Sequence, residues 1–318
     1  MDLDHLENLS ELDAENMIGE INGLPEQLEK AWNLGLSQPL PQMSPVNLVV
    51  IAGMGGSAIG GDLLAGVLAD RSPVPLIVQR DYSLPAYANG PETLVIISSH
   101  SGNTEESLSA LSAAMHNRCQ VVAISTGGRL QTVAAQSGIT TWIFDHPGQP
   151  RAAVGYSFGL LLALMVRLGL ISDPSQEVEG AIALMREQMR SLRVEVPVNQ
   201  NPAKRMAGQM MGRDVTIFGA GALAAVARRW KTQINELAKA QAAFEALPEA
   251  DHNTLAGTSN PEKILELTFK VFLQSSLDHP QNAVRARLTR EAFMQQGINT
   301  DFYMAKGETK LSQMWSAV

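Results

Sequence analysis

The segment 99-SHSGNT-104 sets three hydroxyls and one glycine between an apolar run, 93-TLVIIS-98, and a helical pattern, 105-EESLSALSAAM-115. A helix N-terminus presents free N–H groups and the positive end of its dipole, and together these attract phosphate. Serine and threonine hydroxyls add donors, and Gly102 lets the backbone approach closely. The loop also has an ordinary reading, because Asn103 with Glu106 three residues later forms an N-x-x-E helix cap.

A second chemical candidate is 50-VIAGMGGSAIGGD-62, where glycines follow an apolar run. Gly53, Gly55 and Ala58 satisfy G-x-G-x-x-A, and Gly219, Gly221 and Ala224 do so again in 214-DVTIFGAGALAAVARRW-230. Each could hold a dinucleotide or be a tight strand-to-helix turn. A dinucleotide site also wants an acid ending the second strand, and that strand ends here in Gln79, with Arg80 and Asp81 beyond it. Arg151, Glu236 and His252 have the types needed for charge stabilisation and proton transfer. By type alone they also read as a surface charge before a helix, a helical glutamate pairing with Lys239, and a loop histidine.

The elements that must position these groups follow from periodicity. Apolar runs at 46–52, 74–79, 93–98, 119–125 and 139–145 alternate with helical patterns, which implies a parallel sheet with helices on both faces. Residues 12–35 read as an acidic helical region broken near Gly23 and Pro25, 153–172 as a buried helix, and 175–193 as a charged amphipathic one. The stretch 197-PVNQNPAK-204 reads as a linker, after which strand, glycines and helix recur. The expected organisation is an α/β fold of two doubly wound parallel-sheet domains: a helical segment at 1–40, a first domain at 41–196 and a second at 197–318.

Composition narrows the function classes. A chain of 318 residues with net charge −8 and no basic runs is not built to bind nucleic acid. A single cysteine, Cys119, allows no intrachain disulfide and fits a reducing compartment. The acidic start lacks a signal-type apolar core, and 158-FGLLLALMV-166 is too short to cross a bilayer, so a cytoplasmic protein without membrane partners is expected. The six histidines are scattered, and with one cysteine they give a metal site poor support.

In combination, G-M-G-G-S, R-D-Y-x-L-P, S-x-S-G-N-T-E-E, P-R-A-A-x-G-Y and N-E-x-A-K…L-P-E-x-D-H-N resemble the bifunctional phosphoglucose/phosphomannose isomerase family, built from two sugar-isomerase (SIS) domains. The resemblance runs from about residue 15 to 315. It implies substrate contacts at Gly55, Gly56 and Ser57, a phosphate cradle at Ser99, Ser101 and Thr104, and chemistry at Arg151, Glu236 and His252. It further implies an aldose–ketose isomerase acting on glucose, mannose and fructose 6-phosphates without metal or other cofactor, and a homodimer with shared sites. The family pattern continues past 307-GETKLSQMWSAV-318 into a helix bearing a Thr-Pro pair and an active-site lysine, a role that neither Lys306 nor Lys310 takes. The alternative expectation is a non-catalytic sugar-phosphate-binding SIS protein, which would need neither Glu236 nor His252.

Overall fold

The structure is a computed structural model that describes residues 3–7 and 9–318. It divides into two compact units. One comprises Gly23–Ser175, and the other Gln176–Val318 with the described residues up to Asn22. Helices α1 (Leu9–Leu12) and α2 (Met17–Asn22) belong to the latter.

In the first unit, α3 (Leu24–Ser37) begins with Pro25 in its first turn, where a missing N–H breaks no helical bond. Then follow β1 (Leu48–Ala52), α4 (Gly55–Leu68), β2 (Leu76–Gln79), β3 (Thr93–Ser99), α5 (Glu105–His116), β4 (Gln120–Ser125), α6 (Gly128–Gln136) and β5 (Thr140–Ile143). A 3-10 turn, Pro150–Ala152, leads into α7 (Val154–Arg167). The strands form one parallel sheet of order β2-β1-β3-β4-β5, with Val50 opposite Ile77 and Val95. All seven residues of β3 are buried, as expected of a central strand covered on both faces. Val50, Val95 and Ile97 pack with Leu111 of α5 and Leu130 of α6 on one face. The alternate residue Ile51 lies against α4 at Gly61 on the other face.

The apolar helix α7 is buried at eleven positions and crosses α3 closely, because small residues meet there. A Cβ on Gly35 would stand 2.5 Å from that of Ala163, and one on Gly159 would stand 2.8 Å from that of Ala31. Packing the two helices this closely gains dispersion contacts that larger residues would forbid.

After α1 and α2, the second unit continues with α8 (Ser175–Leu192) and α9 (Pro202–Met210). It continues with β6 (Asp214–Ala220), α10 (Ala222–Glu236), β7 (Ala242–Leu247), α11 (Glu262–Leu265), β8 (Thr268–Gln274), α12 (Pro280–Gln295), β9 (Asn299–Met304) and α13 (Lys310–Ala317). Its parallel sheet has the order β7-β6-β8-β9. That order repeats the first four places of the first sheet. Phe218, Phe272 and Phe293 fill its core. The units divide at Ser175, upstream of the Pro- and Asn-rich stretch 197–204. The reason is that α8 docks on the second sheet's side: Gln188 donates to the Tyr303 hydroxyl (2.9 Å) and to the Ser316 carbonyl (3.3 Å). Asn201 accepts from the backbone N–H groups of Ala203 and Lys204 and donates to the Leu192 and Arg193 carbonyls, so it caps α9 and ties it to the end of α8. Among the described residues no helix is long and apolar enough to cross a membrane.

Candidate active site

The adjacent strands β1 and β3 send their following helices to opposite faces of the first sheet. Ligands of doubly wound sheets lie at such a switch point, beyond the carboxyl ends of the strands. The glycine loop follows β1 and the hydroxyl loop follows β3, so the sequence's two candidate loops meet there. They pack tightly: a Cβ on Gly53 would stand 2.6 Å from the Ser98 carbonyl oxygen. Ser57, in the first turn of α4, accepts the His100 N–H through its hydroxyl oxygen at 3.0 Å. Gly55 has φ +49° and open space around its missing side chain, a conformation that favours glycine.

Within the hydroxyl loop, Ser99 donates to the Thr104 hydroxyl oxygen at 3.1 Å, and Asn103 N–H donates to the Ser101 hydroxyl oxygen at 3.2 Å. Gly102 has φ +65°, and its missing side chain makes room for the Gly127 carbonyl. The Asn103/Glu106 cap does not form. Thr104 occupies the cap position of α5 without a side-chain bond, while Asn103 accepts from Arg129 N–H of α6 at 3.0 Å. The first turn of α5 therefore keeps N–H groups that no side-chain cap engages, beside three hydroxyls and a glycine-lined approach.

Arg151 lies in the turn Pro150–Ala152, pressed on the glycine loop: a Cβ on Gly56 would meet the Pro150 carbonyl oxygen at 2.3 Å and the Arg151 Cα at 3.2 Å. The first unit thus brings together Gly55, Gly56, Ser57, Ser99, Ser101, Thr104 and Arg151. Sequence reasoning passed over two imidazoles at this place. His100 lies inside the hydroxyl loop, and its Nε2 stands 2.9 Å from Nδ1 of buried His146, which follows β5. Burial pushes the His100 imidazole below its ordinary value, and the neighbouring His146 adds to that. The variable second position of the S-x-S-G-N-T motif was the available signal for His100; His146 had none.

Glu236 and His252 belong to the other unit. Glu236 is the last residue of α10, and Lys239 donates to its carbonyl oxygen at 2.6 Å. The interior of α10 carries a buried cation: burial lowers the Arg229 guanidinium to about 10, against the opposing attraction of Glu236. His252 is exposed at the end of a 3-10 turn, Glu249–His252. That turn is anchored by Asp251, which accepts from Thr289 at 2.7 Å and from Arg285 at 3.0 Å.

The second glycine loop, after β6, faces a carboxylate. A Cβ on Gly221 would stand 3.1 Å from an oxygen of Asp278, which follows β8 and accepts the Ser275 N–H at 3.3 Å. Burial raises the Asp278 carboxyl to about 6, against the lowering effects of that bond and of Lys310. The chain's own acid thus faces the second glycine loop. Among the described residues no group of three or more His, Cys, Asp or Glu is placed to hold a metal ion.

Residues 199–318 match the family model described as the bacterial phospho-glucose isomerase C-terminal SIS domain. The chain is 39% identical over 306 residues to the bifunctional phosphoglucose/phosphomannose isomerase of Caldicellulosiruptor bescii, covering 95% of this chain and 89% of that one. It is 30% identical to the protein of the same description from Aquifex aeolicus, over 85% of this chain and 80% of that one. The crystal structure of tagatose-6-phosphate ketose/aldose isomerase from Escherichia coli superposes with a TM-score of 0.65 at 16% identity, over 94% of this chain and 90% of that one. The last shares the fold.

Proposed function

This chain belongs to the bifunctional phosphoglucose/phosphomannose isomerase family, and from that premise we propose that it interconverts glucose 6-phosphate and mannose 6-phosphate with fructose 6-phosphate. The observation that carries the reading is the α5 N-terminus, without a side-chain cap and ringed by Ser99, Ser101 and Thr104 beside the Gly55–Gly56–Ser57 turn. A sugar phosphate docked there would leave its C1–C2 end free for chemistry.

In the proposed reaction, the Glu236 carboxylate takes the proton from C2 of the aldose and returns it to C1. The hydroxyl proton moves from O2 to O1 in the same conversion, so C2 is oxidised and C1 reduced within one molecule. The intermediate is a cis-enediolate, whose charge the Arg151 guanidinium stabilises without a metal. His252, whose imidazole can both accept and donate a proton, moves the proton that opens the sugar ring. Glucose and mannose 6-phosphates differ only at C2, which becomes planar in the enediolate, so one site serves both.

The test is incubation with fructose 6-phosphate in D2O, with and without EDTA. The expected result is both aldose phosphates carrying deuterium at C2, with EDTA making no difference. Glucose 6-phosphate alone would reject dual epimer use, and loss of activity with EDTA would reject the metal-free mechanism.

A further inference from the structure

We infer that His100 and His146 are positioning residues: their imidazole–imidazole hydrogen bond ties the proposed phosphate cradle to the segment bearing Arg151. The inference rests on the reading of residues 99–104 as that cradle. The backbone of His100 is already held on two sides. Its N–H donates to Ser57 of α4 at 3.0 Å, and its carbonyl accepts from the Thr126 N–H at 3.0 Å and the Thr126 hydroxyl at 2.7 Å. The side chain adds a third direction, reaching His146 beyond β5 at 2.9 Å.

The surroundings make this bond one that neither ring gives up cheaply. Phe144 lies edge-on to His100 at 5.8 Å, Tyr156 lies edge-on to His146 at 5.8 Å, and Phe144 and Tyr156 stack at 4.9 Å. A buried polar nitrogen beside aromatic rings needs a hydrogen-bond partner. His146 stands four residues before Pro150, whose carbonyl presses on Gly56. The segment 146–151 is therefore fixed at both ends: by His146 to the cradle and by Pro150 to the glycine loop. Cradle, glycine loop and Arg151 turn then move as one body, so phosphate held at one end sets the guanidinium at the other.

The test compares His146→Leu with His146→Asn. Leucine fills space and removes the bond. Asparagine places an amide near the Nδ1 position and can restore it. Inorganic phosphate binding is measured by calorimetry and fructose 6-phosphate turnover by coupled assay, on protein whose folded fraction is checked by circular dichroism. Losing one hydrogen bond predicts that His146→Leu weakens phosphate binding about 5-fold, with kcat also lower, and that His146→Asn returns the dissociation constant to within about 2-fold of the parent. A purely structural role would reduce the active fraction and leave the dissociation constant of the remainder unchanged, and that outcome overturns the inference. Equal weakening by both substitutions also overturns it. If the unsubstituted protein binds no phosphate, the cradle reading fails and the inference fails with it.

Discussion

At the scale of single residues, the proposed roles separate holding from reacting. Glu236→Gln keeps shape and removes the proton acceptor, so kcat should fall about 100-fold or more while the affinity for a non-reacting analogue barely changes. Unchanged turnover would remove Glu236 from the proposed role. Thr104→Val should weaken phosphate or sugar-phosphate binding about 10- to 150-fold, the span of about 1.5–3 kcal/mol for bonds to a charged group. Calorimetry checks it, and an unchanged constant would make the loop a plain helix start. Asp278 gives a pH test. Burial holds its folded carboxyl at about 6, above the ordinary 3.8, so the folded chain binds more protons than the unfolded one between those values. Stability should therefore fall as pH rises from about 4 to about 6. Asp278→Asn should remove that decline, and thermal midpoints compared at the two ends of this range measure it.

At the scale of elements, the crossing of α3 and α7 is sensitive to a single methyl. Gly35→Ala would force its Cβ against Ala163 at 2.5 Å, and overpacking of this kind costs about 1–3 kcal/mol. A lowered urea midpoint is the expected result. The five strands of the first sheet were legible because long unbroken apolar runs bounded by turns are what a doubly covered parallel strand requires. The second sheet was legible only at β6. The stretch 242-AAFEAL-247 has helix-forming residues, yet it is β7, because pairing with β6 from Val215–Ala242 to Ala220–Leu247 overrides local propensity. Asn103 looked like a cap for α5, but its side-chain oxygen accepts from the Arg129 N–H of α6, a partner 26 residues away that spacing does not reveal. His146 was illegible for the same reason, its partner being 46 residues distant.

For the molecule as a whole, the proposed chemical groups are distributed over two units: Arg151 and the cradle in one, Glu236 and His252 in the other. The proposed assembly is a homodimer in which each site takes its histidine from the partner. Inactive Glu236→Gln and His252→Ala chains, mixed after dissociation, should then regain partial activity through one intact hybrid site. Verified heterodimers without recovery would place both residues in the site of one chain. Asp278 faces the glycine loop of the second switch point, which disfavours an anion there, whereas phosphate is proposed to bind at the first. Phosphate titrations should accordingly saturate at one equivalent per chain.

The glycine contacts carry a consequence for genetics. A Gly35→Ala lesion is blocked chiefly by a methyl group, that of Ala163, and Ala163→Gly would remove it. A suppressor screen should therefore recover that second-site change. A Gly102→Ala lesion meets the Gly127 carbonyl oxygen at 1.8 Å, and no codon change at position 127 deletes a backbone carbonyl. Reversion there should come from codon 102 itself, so the spectrum of revertants would report which glycines face side chains and which face the main chain.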